Sequence, residues 1–222
     1  HWFSTNMEST INQPNKDKSN LFPIVAIGAS AGGIEAMNEL LRHLTVKTNM
    51  AFIYVQHLNA SRASMLAPIF ARATAMPVVE AADGMPIEAD HLYIIPPDAD
   101  LTVIGRLIKI DARPDKPYAH MPINKFFHSL AENYKVPSIG IILSGAAPDG
   151  INGLKAIKVA GGLTFAQGDT AEFQSMPQGA IADGAVDLVL SPKEIAEELI
   201  RIAGQKETFY GALQELSEET LD

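Results

Sequence analysis

The sequence predicts an α/β protein: a three-layer, doubly wound, mostly parallel sheet with a small antiparallel hairpin insertion. Three observations carry that prediction. Runs that are apolar without alternation, such as Ile24-Val25-Ala26-Ile27 and Ile139-Gly140-Ile141-Ile142, recur at strand length. A strand that is apolar on both faces must be covered on both faces, which is the condition of a parallel sheet. Amphipathic stretches of helical length alternate with these runs, and the first run passes through Gly28-Ala29-Ser30-Ala31-Gly32-Gly33 directly into one of them.

The elements follow in order. Strands are expected at Ile24-Val25-Ala26-Ile27 and over 51–57, then a helix over 61–73 and a short strand over 77–80. Segments 91–96, 101–104 and 107–110 are separated by Pro-Pro-Asp and Gly-Arg turns and read together as an antiparallel insertion that ends in a hairpin. A helix over 123–134, a strand over 138–143, a helix over 150–160 and a strand over 163–167 continue the alternation. A short helix over 177–183, a strand over 185–190 and a helix over 192–202 close it.

Composition narrows the class. The 222 residues fit one large domain, which buries enough surface to need no staple. There is no cysteine, so disulfides, thiolate metal sites and cysteine nucleophiles are excluded. The net charge of −9 argues against a nucleic-acid partner, because phosphate binding needs clustered Lys and Arg. Apolar runs are strand-sized and no signal peptide is visible, so no membrane insertion is expected and the expected location is cytoplasmic. Residues 1–20 are polar and aperiodic and read as a disordered lead-in or an added segment. The domain is expected over 21–203, and 204–222, rich in glutamate, reads as an acidic linker or connecting helix. A chain that starts at histidine and ends on such a segment is expected to be a piece of a longer one.

The glycine-rich turn has three readings. Gly28-Ala29-Ser30-Ala31-Gly32 fits the G-x-S-x-G nucleophile elbow, in which small neighbours let a serine stand clear of the sheet. Glycines between strand and helix also build anion-binding turns. Here the dinucleotide spacing is missing, the next strand ends in Gln56-His57 with no ribose-binding acid, and the Walker lysine is absent. A purely structural tight turn is the third reading.

A serine needs a base and an orienting acid. In open α/β sheets sites form where strands deliver their carboxyl ends. Three groups sit at such ends: Ser30 after the first strand, His57 at the end of the second, and Asp149 in the loop after Leu143. Their order along the chain is not that of the α/β-hydrolases, so they are judged by role. His43, His91, His120 and His128 form no helical pair with an acid, and no metal site or cofactor is read from them.

Further motifs carry a resemblance. From about 22 to 202 the chain resembles the catalytic domain of the CheB-type chemotaxis receptor methylesterases. The matching stretches are Ile27-Gly28-Ala29-Ser30-Ala31-Gly32-Gly33, Val55-Gln56-His57, Glu80-Ala81-Ala82-Asp83-Gly84 and Tyr93-Ile94-Ile95-Pro96. They continue with His120-Met121-Pro122-Ile123, Gly140-Ile141-Ile142-Leu143-Ser144-Gly145, Asp149-Gly150 and Ser175-Met176-Pro177. The resemblance implies a serine hydrolase that removes methyl groups from glutamate methyl esters of chemoreceptor-like proteins, with glutamine deamidation as a second reaction. It implies Ser30 as nucleophile, His57 as base, Asp149 as orienting acid, and backbone donors at Ala31 and Ala146 for the oxyanion. No cofactor or metal is implied. The alternative is a regulatory or docking module that keeps the fold and turns over little.

Within the family the chain is most similar to the methylesterase part of CheB–CheR fusion proteins, through His120-Met121-Pro122-Ile123-Asn124-Lys125-Phe126-Phe127 and Gly162-Leu163-Thr164-Phe165-Ala166-Gln167. That implies a methylated signalling protein as partner, with methyltransferase and sensory regions following in the natural chain. No stretch resembles a receiver domain, so phosphorylation control within this chain is not expected. The sequence departs from the common pattern at Ala31, often threonine, at Ala146, often methionine, and at Pro148, often asparagine or serine. The loop over 58–62 differs from the free-standing enzymes.

Overall fold

A computed structural model describes residues 21–57, 65–115 and 120–205. Nine strands are described: β1 (Ile24–Ala29), β2 (Ala51–Gln56), β3 (Val78–Glu80), β4 (Leu92–Ile94), β5 (Ala99–Ile104), β6 (Leu107–Ala112), β7 (Ile139–Ile142), β8 (Leu163–Gln167) and β9 (Leu188–Leu190). Six helices accompany them: α1 (Gly33–His43), α2 (Leu66–Ala71), α3 (Pro122–Asn133), α4 (Ile151–Val159), α5 (Ser175–Ala182) and α6 (Pro192–Gly204). Seven strands form one parallel sheet in the order β3-β4-β2-β1-β7-β8-β9, and β5 and β6 form a separate antiparallel hairpin.

The two faces of the sheet bury two cores. Alternate residues of β1 go to opposite sides, Ile24 and Ala26 to one and Val25 and Ile27 to the other, all fully buried. The first core joins the hairpin with α3, α4 and α5 through Leu101, Val103, Phe126, Phe127, Leu154 and Met176. The second joins α1, α2 and α6 through Met37, Leu40, Phe70, Ile195 and Leu199. The expected α/β architecture is therefore present, with helices on both faces. At the last helix, Ser191 and Glu194 form a reciprocal capping box, which satisfies donors that the first turn leaves open.

Two expectations, over 91–96 and 185–190, are corrected. The segment over 91–96 is not part of an antiparallel insertion: β4 lies in the main sheet, parallel to β2 and β3, with all three residues buried. Pro96 and Pro97 follow it, and as prolines they lack the N–H that would extend the ladder, so the chain leaves the sheet before the hairpin begins. The helix expected over 61–73 is described only as α2, residues 58–64 lying outside the described residues. The strand expected over 185–190 is shorter. Asp187 Oδ2 accepts from the Thr164 N–H and the Thr164 hydroxyl donates to Ala185 O, so the stretch before β9 is held by side-chain bonds.

The topology sets one edge apart. From β1 the chain moves outward through β2, then returns to place β7 on the other side of β1. The switch point of this doubly wound sheet therefore lies between β1 and β7, where such folds open a crevice at the strand ends. Close packing under this edge depends on Gly28: a Cβ there would lie 2.5 Å from Cγ2 of the fully buried Ile123 in α3. Gly28→Ala is expected to cost about 1–3 kcal/mol by overpacking, read as a lower urea midpoint at unchanged m-value.

Candidate active site

Register brings the first two candidate residues side by side. Ala29 pairs with Gln56 across β1 and β2, so Ser30 and His57 are the next residues of adjacent strands, and the His57 N–H points to Ala29 O at 3.4 Å. On the other side the Ser30 N–H donates to Ser144 O at 3.0 Å, extending the β1–β7 contact past the strand ends. The loop after β7 then carries Asp149 back over this edge. All three residues singled out by the sequence lie where the strands deliver their carboxyl ends.

The turn at Ser30 is braced on both flanks. Gln56 Nε2 donates to Ser30 O at 3.1 Å, and the Gln56 carbonyl accepts from the Tyr54 hydroxyl. Burial, with the charge of Glu35 adding to it, pushes the Tyr54 phenol well above its ordinary pKa, so it remains a donor. Ser144 Oγ donates to Ala31 O at 2.7 Å and accepts from Phe173 N at 3.0 Å. Gly32 begins α1 in the left-handed region at φ 76°, and a Cβ there would meet Ser144 Oγ at 2.5 Å. A side chain at this position would displace the brace.

His57 and Asp149 form a direct pair. The Nε2–H of His57 donates to Asp149 Oδ2 at 2.7 Å, with the imidazole 28 % exposed and the carboxylate 2 %. The same Oδ2 accepts from Ile123 N at 2.9 Å and Oδ1 accepts from Asn124 N at 2.8 Å. These are the N–H groups of the first turn of α3, whose N-cap Met121 makes no side-chain capping bond and whose first residue, Pro122, has no N–H. Asp149 thus caps α3 from another loop, with its charge at the favourable end of the helix dipole. With Nε2 committed to the carboxylate, Nδ1 is the nitrogen left to accept a proton.

Ser30 Oγ accepts from the Ala146 N–H at 3.0 Å, and among the described residues it makes no hydrogen bond to His57. The Ala31 N–H has no protein partner among the described residues. The two backbone donors expected around the serine therefore flank it, one engaged by the hydroxyl and one open. Gly145 lets the loop approach: a Cβ there would lie 3.0 Å from Ser30 Oγ and 2.7 Å from the Met176 methyl carbon.

A second buried acid lies beyond His57. Asp100 in β5, 2 % exposed, accepts from His120 Nε2 at 2.6 Å and from Lys125 Nζ at 2.7 Å. The His120 and His57 rings meet edge to face at 6.2 Å between centroids, and both line a recess of about 40 Å³. Burial alone would push the Asp100 carboxyl up, but its hydrogen bonds to Lys125 and His120, and their charges, outweigh this and hold it below its ordinary value. Sequence reasoning named His120 and Lys125 only within a motif, set His120 aside as a metal ligand, and did not single out Asp100. Nor did it find the α3 N–H groups at Asp149. The proline at the start of α3 marks a helix end, but nothing in the sequence says which acid meets it.

Residues 25–199 match the family model for the CheB methylesterase domain. The chain belongs to the CheB methylesterase family. It is 34 % identical over 182 residues to a protein-glutamate methylesterase/protein-glutamine glutaminase 2 of Burkholderia pseudomallei, covering 81 % of this chain and 53 % of that protein. A putative protein-glutamate methylesterase/protein-glutamine glutaminase of Leptospira interrogans is 33 % identical over 183 residues, covering 82 % of this chain and 95 % of that one. The crystal structure of the CheB methylesterase catalytic domain of Thermotoga maritima superposes with a TM-score of 0.73 at 28 % identity, covering 82 % of this chain and 99 % of that one. The chain spans about half the length of several of the curated relatives it matches. Family and fold are those the sequence motifs implied. The loop over 58–62 lies outside the described residues. Among the described residues no cluster of His, Asp and Glu suits a metal ion, and no helix is long and apolar enough to cross a membrane.

The depressed Asp100 carboxyl gives a pH prediction. Because its folded value lies below the unfolded one, its stabilisation is fully present above the ordinary carboxylate value of about 4 and is lost as pH falls through the folded value. Asp100→Asn is expected to lower stability at neutral pH and to flatten its decline on the acid side, read by urea melts across pH 2–6.

Proposed function

We propose that this domain is a serine hydrolase that cleaves glutamate γ-methyl esters on a chemoreceptor-like protein and releases methanol. The observation that carries the reading is the His57–Asp149 pair at 2.7 Å, set beside Ser30 by strand register at the switch point of the sheet. In the proposed reaction, Nδ1 of His57 takes the Ser30 proton as Oγ attacks the γ-carbonyl. Asp149 holds the ring through Nε2–H and stabilises the imidazolium. The open Ala31 N–H and the Ala146 N–H receive the oxyanion; Ala146 N already points at Oγ, so a small shift transfers its bond to the substrate oxygen. The imidazolium gives its proton to departing methoxide, and water activated by the same nitrogen hydrolyses the glutamyl-enzyme. Glutamine deamidation follows the same path with ammonia leaving. In resting enzymes catalytic hydrogen bonds are often long and tighten only with substrate, which accounts for the absent Ser30–His57 bond.

The partners follow the same reading: a methylated signalling protein as substrate, and methyltransferase and sensory regions on the natural chain, as in CheB–CheR fusions. Support for a longer chain comes from a 104.1 kDa Rhodobacter capsulatus protein, 38 % identical over 141 residues that make up 15 % of its length. The docking-module alternative draws on one observation, the Ser30 hydroxyl held by Ala146 and not by His57.

A serine-reactive phosphonate separates the two. The enzyme reading expects an adduct on Ser30 that His57→Ala abolishes; an inert Ser30 favours the module. With a methylated receptor peptide, Ser30→Ala is expected to abolish methanol release. Asp149→Asn, which keeps an acceptor for α3 but loses the charge, is expected to cost roughly 10³–10⁴-fold in kcat. Near-normal methanol release from Ser30→Ala would refute the proposed chemistry.

A further inference from the structure

Asp100 and Lys125 lie outside the three residues of the proposed chemistry, yet they are coupled to it. Lys125 stands in the first turn of α3, where the helix dipole disfavours a cation. Its ammonium is placed there by the Asp100 carboxylate at 2.7 Å. The other oxygen of that carboxylate holds His120, and the His120 ring meets His57 edge to face. One carboxylate and one imidazole, 2 % and 17 % exposed, therefore separate the Lys125 charge from His57. The buried carboxylate is little screened and the half-exposed ammonium more so, so of the two charges that of Asp100 acts more strongly at the His57 ring.

We propose that Asp100 and Lys125 are positioning residues that act as a charge balance for His57, the carboxylate cancelling the ammonium so that the imidazole can take up a proton. The proposal rests on His57 being the base. Among the described residues, the other titratable and charged groups facing His57 are Asp149 from the loop after β7, His120 ahead of α3, and Asp98 and Arg113, which meet at the open end of the hairpin. Asp149 opposes a proton on no account, since its charge favours the imidazolium. Asp98 and Arg113 carry opposite charges and line the same recess. What the pair at Asp100 decides is therefore whether a net charge stands behind His120. Losing Asp100 leaves the Lys125 cation facing His57, and losing Lys125 leaves the Asp100 anion.

The two losses act in opposite directions, which a bridge that merely holds the hairpin to α3 would not do. NMR titration of the ring-labelled His57 resonances in the intact chain reads this without substrate. Asp100→Asn is expected to move the His57 midpoint down by about 0.5–1 pH unit and Lys125→Met to move it up by less, since its charge is half exposed. The double variant is expected to lie between the two single variants. Lys125 is 48 % exposed, so Lys125→Met keeps its fold even if Asp100→Asn loosens the hairpin, and its upward shift alone tests the sign. In methanol release, the acid limb of kcat is expected to follow the same shifts with little change in KM. Midpoints that do not move, or that move the same way in both single variants, overturn the charge balance. Opposite shifts in a protein that releases no methanol would instead leave the balance standing and overturn the esterase reading.

Discussion

A carboxylate shut away from water must find donors for both oxygens or give up its charge, and Asp149, 1 % exposed, finds three. Two are backbone N–H groups of the first turn of α3 and the third is the ring of His57. The helix has no cap of its own, so the acid and the helix complete each other. The contact fixes α3 against the ends of β1 and β2, fixes the imidazole against α3, and leaves the elbow at Ser30 as the remaining side of the crevice. Gly28 permits this closeness by letting Ile123 rest directly on the strand backbone.

The parallel sheet and the three strand-end residues were legible because the information is local. Apolar runs without alternation, and glycines between a strand and a helix, state their surroundings in a few consecutive residues. Ser30 and His57 need no further information, since adjacent parallel strands in register put their ends together. Asp149 was legible only as a residue after a strand; its partnership with α3 spans 25 and 26 residues and has no periodic trace. Asp100 was illegible for the same reason and for another: it stands just ahead of the strand expected over 101–104, where an acid reads as solvated, and only the folded hairpin shows it buried. The assignment of 91–96 to the insertion failed because three buried residues cannot reveal which sheet buries them.

The braces around Ser30 divide the work by chemistry. Gln56 and Ser144, both buried, fix the backbone at Ser30 and Ala31 through their carbonyl oxygens and leave the Ser30 hydroxyl itself to a single backbone donor. Small residues at 31, 32, 145 and 146 keep side chains out of the crevice. Ala31 and Ala146 therefore add little bulk while supplying their N–H groups.

The ring orientation of His57 has an energetic corollary. A neutral imidazole in water already favours the tautomer with its hydrogen on Nε2, and that is the hydrogen Asp149 receives. In the mirrored arrangement, an acid bound at Nδ1 must hold the ring in its minority form. Here the carboxylate inherits the majority form and is needed for aim and for charge alone. In the proposed reaction the lone pair that takes the proton then lies on the ring atom beside the Cβ attachment, so its placement follows the backbone just after β2 closely and owes little to the reach of the side chain.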